Sequence, residues 1–187
     1  MSLDLIIGPM FSGKSSTLIS IIRKHEALGL NCIAYKPKLD DRQGTDEYIY
    51  THDGSKISAY RTQYLMPQLL SYHFEDARLI VIEEGQFFPD LYQFVSVAVE
   101  TFKKNVIVAG LDGDRFRKPF GQILDLIPLA DRITKLTSFC KLCGDGTPAL
   151  FSYSDSSKTD TILVAGADLY MPLCRKHYLY ESSKHLP

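Results

Sequence analysis

Residues 8–15, GPMFSGKS, fit the pattern G-x-x-x-x-G-K-[ST] and constrain the fold more than any other stretch of the chain. Such a loop works only between two particular elements. A buried strand must deliver it, and a helix must start from its end, so that backbone N–H groups and the positive end of the helix dipole face a phosphate chain. Both neighbours are legible. LDLII, residues 3–7, reads as a short buried strand, and SSTLISIIRKHEALG places Leu18, Ile21, Ile22, His25 and Leu28 at helical spacing before a stop at Gly29. In this setting Lys14 reaches the β- and γ-phosphates, and the Ser15 hydroxyl ligates Mg²⁺. The plainer reading is a glycine-rich strand–helix turn with a surface lysine.

The pattern repeats along the chain. NCIAYK (31–36), RLIVIEE (78–84) and NVIVAGLD (105–112) read as further strands. LMPQLLSYHF predicts a helix from about Pro67, and PDLYQFVSVAVETFKKN a helix with Pro89 near its start, where a missing N–H costs little. Strands alternating with helices predict an α/β fold, a parallel sheet flanked by helices. PKLDDRQGTDEYIYTHDGS reads as loop with a short strand near Tyr48–Thr51. After about residue 133 the pattern changes: RITKLTSFC, ALFSYS and TILVAG look like short antiparallel strands, and the last residues, ESSKHLP, like a frayed end. The expected division is a phosphate-binding α/β domain over 1–136 and a small zinc-ribbon-like lid over 137–187.

Two further constellations carry chemistry. The apolar run Leu79–Ile82 ends directly in Glu83 and Glu84. If the strand continues, these side chains point to opposite sides. One carboxylate can then serve a metal and its waters, and the other can handle a proton. The alternative is a solvent-facing pair at a strand end. CKLC (140–143) and CRKH (174–177) supply Cys140, Cys143, Cys174 and His177, a Cys₃His set of the kind that closes a structural Zn²⁺ site. A redox C-x-x-C is the competing reading, but it leaves Cys174 and His177 without a role. Cys32, inside a strand, reads as a buried small apolar residue.

Composition narrows the class. The net charge of −1, from 21 basic and 22 acidic residues, gives no general attraction to nucleic acid or to anionic membranes. The first residues, MSLDLIIGPM, predict neither a signal peptide nor a membrane span, and a cytoplasmic chain is the expectation.

Taken together, LIIGPMFSGKS, KPKLDDR, THD, VIEEGQFFPD, VAGLDGDRFRKPFG, CKLC, GADLY and CRKH, in this order, resemble the type II thymidine kinase family, the cytosolic and viral kind, over nearly the whole chain. The resemblance implies transfer of the γ-phosphate of ATP to the 5′-hydroxyl of thymidine or deoxyuridine. It implies Glu84 as the general base and Arg42 as stabiliser of transition-state charge. For the nucleotide it implies Gly8, Pro9, Met10, Phe11, Ser12, Gly13, Lys14, Ser15 and Ser16, with Asp40, Glu83 and Gln86. Ser15 and Glu83 serve Mg²⁺ in that scheme. The nucleoside pocket maps to Met10, Phe87, Leu111, Phe120, Ser152 and Tyr170. A homotetramer and feedback inhibition by dTTP are also implied. The chain departs from the family pattern at Glu83, where Asp is usual, at Ser154, where a basic residue is usual, and at Arg115, where an aromatic is common. Two other functions fit parts of the sequence: a different phosphotransferase with a zinc ribbon, and a non-enzymatic zinc-ribbon nucleic-acid binder that uses ATP as a switch. The second expects a basic surface, which the charge balance disfavours.

Overall fold

The computed structural model describes residues 1–39, 47–51, 54–154 and 169–184. Its centre is a six-stranded sheet made from β1 (Ser2–Ile7), β2 (Cys32–Pro37), β5 (Tyr60–Thr62), β6 (Leu79–Ile82), β7 (Asn105–Gly110) and β8 (Arg132–Lys135), in the order β5-β2-β6-β7-β1-β8. Every pairing in this sheet is parallel. A parallel sheet is stable only with both faces covered, and its strands then read as continuous apolar runs. The side chains of β6 show why. Ile80 and Ile82 enter one core with Phe74, Leu91 and Phe94, while Leu79 and Val81 enter the opposite core with Leu18, Ile19 and Ile22. The first face is covered by α2 (Tyr72–Asp76) and α3 (Leu91–Ser96, continued by a π turn over Val97–Thr101), the second by α1 (Lys14–Glu26). A hairpin of β3 (Tyr48–Tyr50) and β4 (Lys56–Ser58) adds Ile49 to the α1 side.

Several local expectations change. The α1 stripe is Leu18, Ile19 and Ile22, with Ile21 partly buried. His25 instead turns its Nδ1 to the Ile21 carbonyl at 2.9 Å, and Leu28 lies past the helix end, 77% exposed. The helix expected from Pro67 is a 3₁₀ turn over Met66–Leu70 followed by the separate helix α2. Ser71 breaks the two: its backbone is extended and its Oγ caps α2 by accepting from Phe74 N–H at 3.2 Å. Asp90, at the start of α3, turns its carboxylate outward to accept from Leu65 and Met66 N–H at 3.1 and 2.8 Å, which docks that 3₁₀ turn. RITK is not an antiparallel strand of the small unit. It is β8, parallel to β1 at the sheet edge, reached after the 3₁₀ turn Ile123–Leu129.

Beyond Leu136 the chain forms two short antiparallel ladders, β9 (Ser138–Phe139) with β10 (Pro148–Ala149) and β11 (Phe151–Tyr153) with β12 (Met171–Leu173), followed by α4 (Arg175–Ser183). Their shared core is small: Cys140, Ala149, Tyr153, Leu173, Cys174 and Tyr178. The segment expected to fray is helical through Ser183 because Tyr178 anchors α4 in that core. TILVAG lies outside the described residues. Among the described residues, no helix is long and apolar enough to cross a membrane.

Candidate active site

Parallel strands of one sheet open their C-terminal ends to the same edge, the usual place for a ligand in such folds. That edge collects the loop after β1, residues 83–87 after β6 and residues 111–121 after β7. The loop 8–13 curls through left-handed positions at Phe11 (φ 62) and Gly13 (φ 84). Gly8 admits no side chain, since a Cβ there would lie 2.5 Å from the Leu136 carbonyl oxygen. The first helical residue is Lys14, the α1 N-terminus has no acid in its first turn, and none of the described side chains caps it. Its N–H groups are therefore suited to an anion. Lys14 Nζ donates to the Gly8 and Pro9 carbonyls at 3.1 and 2.8 Å, which holds the ammonium over the loop.

The two acids have different partners. β6 ends at Ile82, so strand alternation does not separate them, contrary to expectation. A left-handed residue does: Glu84 has φ 51 and ψ 46, which turns the chain sharply. Ser15 Oγ donates to Glu83 Oε1 at 2.5 Å, which ties that carboxylate to the phosphate loop. Glu84 Oε2 accepts from Gln86 Nε2 at 2.6 Å. Both acids are buried, at 8% and 9% exposure, so neither is a solvent-facing pair member.

Several residues of the expected nucleoside wall have defined partners. Leu111 N–H donates to Gln86 Oε1 at 3.0 Å, and Phe87 meets Phe120 edge-on at 5.4 Å. Met10 N–H donates to Ser152 Oγ at 2.9 Å, a buried bond between the phosphate loop and β11. Ser152 pairs with Pro172 across the ladder, two residues beyond Tyr170. Asp40 and Arg42 lie outside the described residues. Removing the Ser152 hydroxyl strands the Met10 N–H. Ser152→Ala is expected to lower unfolding free energy by about 1–3 kcal/mol, and Ser152→Thr by less, as read from urea denaturation.

The cysteines converge as their spacing predicts. Cys140 and Cys143 lie after β9, Cys174 precedes α4 and His177 is in its first turn. Their ligand atoms all lie within 4.8 Å of one another. A zinc tetrahedron has S···S edges of about 3.8 Å and S···N edges of about 3.5 Å. The Cys143 and Cys174 sulfurs are 3.8 Å apart, and His177 Nδ1 is 3.4, 3.3 and 3.5 Å from the sulfurs of Cys140, Cys143 and Cys174. The donor set and its edges fit structural Zn²⁺. Burial alone pushes the Cys140 thiol up, but hydrogen bonds from the Cys174 and Cys143 backbone and the His177 side chain outweigh it and bring it to about 6, toward the thiolate a metal needs. Cys32 stands apart in β2, half-buried rather than buried, its thiol pushed up to about 11 by desolvation and by Glu26.

Two features of this edge escaped sequence reasoning. The zinc unit rests on the 111–121 loop, with Tyr178 Oη donating to the Arg115 carbonyl at 2.7 Å and the Arg117 guanidinium 4.5 Å over the Tyr178 ring. Asp114 shapes that loop by accepting from Phe116 and Lys118 N–H, both at 2.8 Å.

A family model described as thymidine kinase matches residues 1–178. The chain belongs to the thymidine kinase family. It is 41% identical to a rice protein named thymidine kinase over 185 residues, which covers 95% of this chain and 66% of the rice protein. It is 40% identical to thymidine kinase a of Arabidopsis thaliana, covering 95% of this chain and 75% of that protein. It is 41% identical to the thymidine kinase of Variola virus over 177 residues, covering 95% and 96% of the two chains.

Proposed function

We propose that the chain is an ATP-dependent thymidine kinase that makes dTMP from thymidine, and dUMP from deoxyuridine, in the cytoplasm. The observation that carries this reading is the division of the two carboxylates, Glu83 bonded to Ser15 of the phosphate loop and Glu84 bonded to Gln86. In the reaction the bond between the γ-phosphorus and the β–γ bridging oxygen breaks, and a bond from the γ-phosphorus to the 5′-oxygen forms. The proton of the 5′-hydroxyl passes to Glu84, and ADP leaves. Lys14 and the loop amides hold the phosphates and meet the charge that develops on them. Arg42 supplies further positive charge there, and Asp40 supports the nucleotide side.

Ser15 and Glu83 place two oxygen donors together, the hard ligands that Mg²⁺ takes. When bound, Mg²⁺ neutralises phosphate charge. Zn²⁺ on Cys140, Cys143, Cys174 and His177 is structural, because all four positions are filled by protein. The unit 137–187 acts as a lid, and Met10, Phe87, Leu111, Phe120, Ser152 and Tyr170 enclose the nucleoside. Inhibition by dTTP and a homotetramer are further parts of the proposal, and sedimentation tests the second. Nucleic acid and membranes have no part in it.

A panel of deoxynucleosides with ATP tests the assignment. Thymidine is expected first, with deoxyuridine behind it by about 1 kcal/mol, roughly fivefold in kcat/KM, the worth of one buried methyl. Equal or faster turnover of deoxyadenosine overturns the reading.

A further inference from the structure

Gln86 is 4% exposed and sits between two groups of opposite character. Leu111 N–H donates to its Oε1 at 3.0 Å, and its Nε2 donates to Glu84 Oε2 at 2.6 Å. A main-chain N–H can only donate, so it fixes which end of the carboxamide is oxygen. The other end is then an NH₂ group, and an ionised carboxylate is the acceptor it meets. The fold leaves this group little freedom. A Cβ on Gly110 would lie 2.2 Å from Gln86 Oε1, and one on Gly121 would lie 2.1 Å from the Gln86 carbonyl oxygen. Gly121 also has φ +58, so both conformation and space require glycine there. On the other side, Glu84 holds a left-handed backbone that is strained for an L-residue. Such strain persists only where the surroundings enforce it, and it aims the Glu84 side chain.

We infer that Gln86 is a positioning residue for proton transfer. It orients the Glu84 carboxylate and links it through Leu111 N–H to the main chain that follows β7. The inference rests on the proposal that Glu84 accepts the substrate proton. Donation to Oε2 at 2.6 Å holds the carboxylate in one orientation. It also makes the position of the base depend on the segment that carries Leu111.

Gln86→Met keeps the side-chain length and loses both hydrogen bonds. Gln86→Glu keeps an acceptor for Leu111 N–H but sets a second acid against Glu84. The measurements are kcat and the KM values for thymidine and ATP, beside Glu84→Gln. In Gln86→Met, kcat is expected to fall roughly 10- to 100-fold with KM for thymidine nearly unchanged, because the base is no longer held in place. In Gln86→Glu, kcat is expected to fall at least as far, because Glu84 Oε2 then faces an acceptor instead of a donor. KM for ATP is expected to stay within about threefold in both, since uniform binding is untouched. Adding Gln86→Met to Glu84→Gln is expected to cost little further. Full additivity, or unchanged kcat in both Gln86 variants while Glu84→Gln is inactive, overturns the positioning role and leaves the base in place. A rise of more than about tenfold in KM for ATP with unchanged kcat makes Gln86 a nucleotide contact. Near-normal turnover by Glu84→Gln instead overturns the base assignment itself.

Discussion

Glu84→Gln is expected to lower kcat by roughly 10²–10⁴ while nucleotide affinity stays nearly unchanged. The substitution keeps size and polarity but cannot take a proton. Lys14 Nζ bonds to the Gly8 and Pro9 carbonyls, whereas Glu84 accepts from Gln86. Glu83→Gln is expected to behave differently. Its carboxylate is bonded to Ser15 Oγ, so its loss weakens Mg²⁺ handling, and raising Mg²⁺ restores part of the rate. Glu83→Asp is the mildest of the three, since it keeps the charge and restores the family's usual residue. Steady-state rates across a Mg²⁺ titration separate these outcomes. If Glu84→Gln turns over normally and Glu83→Gln is dead at saturating Mg²⁺, the two roles are assigned to the wrong neighbours.

Metal removal is expected to have the second large effect, and an uneven one. Structural Zn²⁺ in small zinc-finger peptides contributes apparent binding energies of about 10–16 kcal/mol, more than a core as small as this one supplies. Protein purified without chelator is expected to carry one Zn²⁺ per chain. Cys174→Ser, or chelation, is expected to weaken thymidine binding at least about tenfold and binding of a non-hydrolysable ATP analogue by no more than a few-fold. The asymmetry follows from the contacts. The zinc unit presents Ser152 to Met10 and rests Tyr178 on the loop that carries Leu111 and Phe120. The phosphate loop stands mainly on the six-stranded sheet, whose two cores are separate from that of the zinc unit. Zinc content near zero in active protein, or equal loss of both ligands, contradicts this account.

Much of the site was legible because its residue types are dictated by chemistry that works at short range along the chain. A phosphate loop needs its glycines, lysine and serine at fixed spacing between a strand and a helix, so GPMFSGKS announces both the ligand and its two flanking elements. A Cys₃His cluster needs two close pairs, and the pairs are visible in CKLC and CRKH even though the fold between them is not. The apolar runs of β1, β2, β6 and β7 declare a sheet covered on both faces. These features were determined by the sequence alone.

Other features depend on partners far along the chain, and no local pattern encodes them. RITK is short and polar enough to join either sheet, and it became a parallel edge strand because β1 offered its free side after a crossover. The helix expected from Pro67 broke at Ser71, where a side-chain cap and Asp90, from another element, satisfied the backbone better than a continuous helix. Above all, the pair Glu83–Glu84 looked divided by strand alternation, and the tertiary structure divided it by another means. Ser15, 68 residues away, took one carboxylate, and a left-handed turn aimed the other at Gln86. Sequence determined that two acids would stand beside a phosphate site. The tertiary structure decided that Gln86, itself held by Leu111 N–H, meets the second, because hydrogen-bond partners and excluded volume are properties of neighbours in space.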